Sequence, residues 1–300
     1  MILPGIAAAM ALAAAPNLTA PPAPPVPIYG GQPVTPGDWP AVVAISIGNF
    51  LCTGTLVSPN VIFTAAHCLD SKPEVASIIV RRGDDINFPV TPLKAIAYGA
   101  DPEFCGEDTC KEDIHDYGFI VLANSQTDIP SFPRIIAGQD EWDDLMDVKK
   151  NITIVGYGLN EGEITGIKRQ VEVPITRFSA SGLEFQAGGM GLDSCQGDSG
   201  GPAFVKLGDQ WLLAGITSRG YTCGKGGFYA VPIGGACWLE RESGLDIRPA
   251  ECSECDCIIT DPARNEGCGS CSADPAAGGP FTLLGLLSLL GLLGLLRRRR

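Results

Sequence analysis

The chain has 300 residues, 45% of them hydrophobic, enough to bury one large core or two smaller ones. Its formal net charge is −13, and four of its 21 basic residues are the terminal RRRR, so the remainder is more acidic still. That balance excludes nucleic acid and anionic lipid as electrostatic partners, and favours cationic ligands only through a weak, salt-screened attraction.

Residues 1–20, "MILPGIAAAMALAAAPNLTA", have the apolar run and small residues of a signal peptide, with cleavage after Ala13, Ala15 or Ala20 as alternatives. Residues 21–27, "PPAPPVP", read as an extended, solvated propeptide. From residue 28 to 244, short Val- and Ile-rich runs such as "WPAVVAISIG", "ASIIVRRG", "KNITIVGYG" and "WLLAGITS" are punctuated by Gly, Pro, Asn and Asp. This is the pattern of an all-β sandwich or barrel, not of βαβ units. Short helices are expected near "AAHCL", "QDEWDDLMD" and "GACWLERE". Residues 245–279 are rich in Cys, Asp, Pro and Gly, the composition of a linker or a small disulfide-tied stalk. The twelve cysteines, with the end segments, point to export into an oxidising compartment.

Residues 280–300 predict a transmembrane helix with a basic tail. Counted from Ala276, the apolar stretch before RRRR has 21 residues, which at about 1.5 Å each matches a bilayer core. The arginines would stay cytoplasmic and everything upstream would lie outside. "GCGSCSADPAAGG", the apolar run and the arginine cluster together resemble the sorting (MYXO-CTERM) tails of myxobacterial surface proteins. The resemblance implies cutting in the membrane and exchange for an anchor near Cys268 or Cys271; a plain transmembrane anchor is the alternative.

The chemistry concentrates in "DSCQGDSGGP", residues 193–202. Gly197, Gly200 and Gly201 mark a cramped turn that presents one reactive side chain, Ser199. A serine hydroxyl becomes a nucleophile only with a base, an orienting acid and an oxyanion hole. The chain has two histidines, His67 in "TAAHC" and His115 in "HDYGFIVL", the latter beside Asp116. Neighbouring strand residues face opposite ways, so adjacency does not pair His115 with Asp116, and His115 reads as a surface or rim residue.

"TAAHC", "HDYGFIVL" and "DSCQGDSGGP", in that order and with "IYGG" and "VGYG", resemble the signature segments of the trypsin/chymotrypsin serine peptidases over roughly residues 28–242. The resemblance implies two antiparallel six-stranded β-barrels with short helices and the active site between them. It implies Ser199 as nucleophile, His67 as general base, Asp116 as the acid that orients it, and the N–H groups of Gly197 and Ser199 as the oxyanion hole. Asp193 falls at the bottom of the pocket for the side chain before the scissile bond, where a desolvated carboxylate is costly until a cation pairs with it. Arg or Lys is therefore the expected residue before the cut, with Ser194, Gly220 and Gly227 shaping the pocket and Ser218 helping to bury Asp116. Arg219 stands where the family has tryptophan, which points to acidic or polar residues in the neighbouring subsite.

The same resemblance implies activation by a new N-terminus at Ile28 whose ammonium pairs with Asp198. Pro27 precedes Ile28, so the releasing cut is not tryptic and a separate protease is expected to make it. Cys52–Cys68 and Cys195–Cys223 match family disulfides, and Cys105–Cys110 is a local third. Cys237, Cys252, Cys255, Cys257, Cys268 and Cys271 cannot be paired from sequence. Cys252, Cys255, Cys268 and Cys271 also spell CxxC…CxxC, a zinc pattern placed here in an exported linker. The expectation is no metal and no cofactor, in an exported, surface-anchored serine endopeptidase made as a zymogen. A catalytically silent surface binding module of the same fold is the alternative.

Overall fold

In the computed structural model, residues 28–261 are described, apart from 137, 249, 251, 253, 254 and 256. The Val/Ile runs become strands β1 (Gln32–Pro33), β2 (Val42–Ile47), β3 (Phe50–Leu56), β4 (Val61–Thr64), β5 (Ile78–Arg81), β6 (Leu93–Ala100) and β7 (Gly118–Leu122). They continue as β8 (Arg134–Ile135), β9 (Asn151–Gly156), β10 (Arg169–Phe178), β11 (Glu184–Ala187), β12 (Pro202–Leu207), β13 (Gln210–Gly220) and β14 (Gly227–Ala230). Helices α1 (Gly106–Thr109), α2 (Gln139–Leu145) and α3 (Ile233–Ser243) and two 3-10 turns, Ala66–Cys68 and Val75–Ser77, complete the set.

Two rings of six strands result. The first closes in the order β2-β3-β4-β7-β6-β5, antiparallel throughout. The second runs β10-β11-β14-β13-β12-β9 and closes because β9 also pairs with β10. Two-residue β1 adds to β10, and two-residue β8 pairs in parallel with β13. The pattern in β10 shows why the chain closes this way: Val171, Val173 and Ile175 point inward while Glu172, Pro174 and Thr176 face out. Ile45, Leu56, Phe63 and Ile120 fill the first core; Val173, Phe185, Phe204 and Tyr229 fill the second. Tyr157 Oη ties the barrels by donating to the Val42 carbonyl at 3.1 Å.

The three expected helical sites are all helical, whereas α1 and the Val75–Ser77 turn carry no apolar periodicity that would announce them. Helix α3 ends at Gly244, whose left-handed backbone (φ 74°) lets its N–H reach the Glu240 carbonyl. Beyond it, the stretch with linker composition packs down instead of leaving. Cys252 and Ile258 are buried, and Thr260 Oγ1 donates to the Ser181 carbonyl at 2.6 Å. Cys237–Cys255 ties the stretch to α3 and Cys252–Cys257 closes a local loop, while Leu245, Ile247 and Ile258 add apolar contacts with the core. Both disulfides also consume two of the four CxxC…CxxC thiols, so the zinc alternative loses half its ligands.

Residues 1–27, with the signal peptide and propeptide, lie outside the described residues, as do Cys268, Cys271, the sorting motif and the apolar helix of 280–300. Among the described residues, no helix is long and apolar enough to cross a membrane.

Candidate active site

His67 sits in the 3-10 turn that follows β4, and Asp116 in the loop that enters β7; the two strands are partners, so the side chains meet. Asp116 is 1% exposed and accepts three hydrogen bonds. The His67 N–H donates to Oδ1 at 2.9 Å, His67 Nδ1–H to Oδ2 at 2.7 Å, and Ser218 Oγ to Oδ2 at 2.5 Å. A carboxylate only accepts, so the ring proton lies on Nδ1 and the neutral ring keeps a lone pair on Nε2. Cys68 Sγ lies 3.8 Å from that Nε2 and 3.7 Å from the Ser199 carbonyl oxygen, which puts the His67 ring beside the Ser199 backbone. The sulfur is bound in Cys52–Cys68 and has no proton to give, so these are packing contacts, and the group Cys52, His67 and Cys68 offers no thiolate to a metal. His115 lies at the rim, 3.5 Å from Glu103, and makes no part of this array.

The turn holding Ser199 is fixed from both barrels. Thr53 N–H donates to the Ser199 carbonyl and Thr53 Oγ1 to the Gly197 carbonyl, each at 2.8 Å. Gly200 N–H donates to the Thr217 carbonyl at 2.7 Å and Gly201 N–H to that of Asp198 at 2.8 Å. The N–H groups of Gly197 and Ser199 have no such acceptor among the described residues. Gly197 adopts φ +98°, and a Cβ there would lie 2.9 Å from Gly158 Cα, so the turn demands glycine. Asp198 is fully buried beneath it, accepting from Gly158 N–H at 2.7 Å and Cys195 N–H at 2.9 Å. Burial pushes its carboxyl up to about 7 despite those two donors. Ile28 is also fully buried, and the adjacent Tyr29 carbonyl accepts from Asp193 N–H at 2.9 Å.

Asp193, 1% exposed, takes Ser194 N–H on Oδ1 and Gly226 N–H on Oδ2, both at 2.8 Å. Loss of hydration outweighs these bonds, and the carboxyl rises to about 6. Gly227 stands directly over it, since a Cβ at that position would lie 3.0 Å from Ser194 Oγ and 3.4 Å from Asp193 Oδ1. Gly220 faces Gly227 across the β13–β14 pairing, and Tyr229 Oη donates to Ser194 Oγ at 3.1 Å. Ser194, Ser218, Gly220 and Gly227 thus gather between Asp116 and Asp193. Arg219 departs from expectation. It pairs with Glu184, lies 4.1 Å over the Phe228 ring and is only 11% exposed, so its charge is spent inward and not offered to an acidic substrate residue. Thr53, Gly158, Gly226 and Tyr229 are further members of the site; the runs "VGYG" and "GGFY" contain three of them, while Thr53 carries no motif.

The protein family described as Trypsin matches residues 28–235. Phenoloxidase-activating factor 1 of Holotrichia diomphalia is 29% identical over 242 residues, covering 67% of this chain and 65% of that protein. Ovochymase of Halocynthia roretzi is 28% identical over 217 residues, 66% of this chain but 14% of its own length. A trypsin-like protease of Streptomyces glaucescens is 28% identical over 218 residues, 67% of this chain and 75% of its own. The chain thus spans less than two thirds of the first two relatives.

Proposed function

This chain belongs to the trypsin family, and from that premise we propose that it is an exported serine endopeptidase that cuts after Arg or Lys. The observation that carries the reading is the ordered set of bonds from Ser218 to Asp116 to His67 beside the Ser199 turn. Ser199 Oγ attacks the scissile carbonyl while its proton passes to His67 Nε2. The resulting oxyanion takes hydrogen bonds from the N–H groups of Gly197 and Ser199, each contributing about 2.7–4 kcal/mol to the transition state. Collapse breaks the C–N bond, His67 protonates the leaving amine, and water hydrolyses the acyl-enzyme by the same route. Asp116 holds the tautomer and supports the imidazolium.

Specificity rests on Asp193. Its buried carboxylate, raised by desolvation, is relieved by a guanidinium or ammonium entering between Gly220 and Gly227. Activation rests on Ile28 and Asp198. In the uncleaved chain Asp198 is held by two N–H groups; cleavage after Pro27 creates the ammonium that neutralises it. Another protease makes that cut; the Holotrichia diomphalia relative is itself named as an activating factor, of phenoloxidase. The C-terminal apolar helix and sorting motif hold the enzyme at the cell surface, at least before processing. A serine-directed phosphonate tests the chemistry: the reading requires covalent labelling at Ser199 that S199A abolishes. An unlabelled, folded protein would favour a binding module instead.

A further inference from the structure

The loop from Cys105 to Tyr117 joins β6 to β7 in the first barrel, yet it is held from the second. Asp113 N–H donates to Glu184 Oε2 at 2.8 Å, and the Asp113 carboxylate accepts from Ser179 Oγ at 2.6 Å and Ser181 Oγ at 2.7 Å. The other Glu184 oxygen holds Arg219, which also donates to the Lys111 carbonyl at 3.2 Å. At the exposed edge of the same contact Arg177 pairs with Glu112 at 2.7 Å. Only about 10 Å³ of void remains between residues 113–117 and Leu183, Glu184 and Ala230.

Glu184 and Arg219 are 4% and 11% exposed at their side chains. Removing two charges from water costs about as much as their attraction returns, so stability alone does not account for the pair. The backbone it touches supplies a reason. Asp113 and His115 adopt φ +52° and +53°, a left-handed conformation that residues with a Cβ hold only where their surroundings impose it. Asp116 follows directly. On the opposite side of the meeting point, Ser218 directly precedes Arg219. Glu184 therefore grips two chain segments, one residue from Ser218 and three from Asp116, and those two side chains meet at 2.5 Å.

We propose that Glu184 is a positioning residue: one oxygen holds Arg219 and the other holds the Asp113 end of the loop, setting the Ser218–Asp116 contact and through it the His67 ring. This rests on reading Asp116 as the triad acid. Further charged groups near the segment are His115 with Glu103 on its outer side, and the buried Asp101, which accepts from Glu103 N–H and feels the Arg241 charge.

Imidazole titration by NMR tests the role in the full-length chain, which has two histidines; His115→Gln assigns them. In E184A, the His67 titration moves down by about one pH unit, because a displaced Asp116 supports the imidazolium less well. Once hydrolysis by the activated chain is established, kcat falls about ten- to a hundredfold, while KM stays within about twofold. E184Q, which keeps an acceptor, lies between E184A and wild type. Asp113→Ala, which leaves the Glu184–Arg219 pair in place, moves both readouts in the same direction by less, and carries the test if E184A does not fold. Wild-type titration and kcat in the folded variants, with only thermal stability lowered, would overturn the proposal. The titration reads Asp116 without any substrate, so an inactive wild type would sink the peptidase reading and still leave this one decided.

Discussion

Asp193 is the residue on which the proposed selectivity rests. Its carboxyl sits at about 6 because burial outweighs the N–H groups that face it, and a cation can be paired only by the ionised form. Binding of an amidine competitor should therefore weaken as pH falls, by about tenfold per pH unit below 6, and level off above about 7. Isothermal titration from pH 4.5 to 8 reads this directly; pH-independent binding would place the cation elsewhere. At this scale much was legible. "TAAHC", "HDYGFIVL" and "DSCQGDSGGP" hold His67, Asp116 and Ser199, and the structure brings them to one place, with His67 and Ser218 both donating to Asp116. Arg219 was not legible, because its partner Glu184 lies 35 residues away and meets it only through the β11–β14–β13 pairing.

Among the elements, strands β13 and β14 wall the proposed pocket. Their register puts Gly220 against Gly227, and the missing Cβ at Gly227 keeps the path to Asp193 open. G227V would fill that path with three carbons, its Cβ lying 3.2 Å from the Arg219 carbonyl of the paired strand, so β13 must give by a few tenths of an ångström. Its KM for Arg-ended peptides is expected to rise about a hundredfold or more, at a cost in unfolding free energy of only about 1–3 kcal/mol. An unchanged KM would show that the basic side chain enters by another route. The strands were legible because period-two alternation, as in β10, is strong over ten residues. The four-residue α1 was not, being too short to show a periodicity and defined by the Cys105–Cys110 loop instead. After Gly244 the composition implied a linker or a small disulfide-tied stalk; one disulfide ties that stretch to α3, and Leu245, Ile247 and Ile258 pack against the core, contacts that composition alone does not announce.

For the molecule as a whole, proposed activation depends on what cleavage before Ile28 does to Asp198. In the uncleaved chain Asp198 titrates at about 7, well above its unfolded value. Its contribution to stability is then fully present below about pH 4 and lost as pH rises through 7. D198N removes that loss, so urea unfolding of the uncleaved variant should gain on the uncleaved wild type between pH 5 and 8. In the cleaved protein the paired ammonium reverses the sign, and D198N should destabilise above pH 4. The same ordering across both forms would contradict the activation model. The decisive measurement uses protein beginning at Ile28 and ending after residue 261, the last of the described residues. Hydrolysis of Arg-, Lys- and Phe-ended chromogenic peptides is compared with that by S199A and by protein that retains residues 21–27. Rapid cleavage of the two basic peptides alone is expected, absent in S199A and at least about a hundredfold slower with residues 21–27 attached. A folded protein beginning at Ile28 that turns over none of the three, or turns over all three alike, would contradict the proposed function.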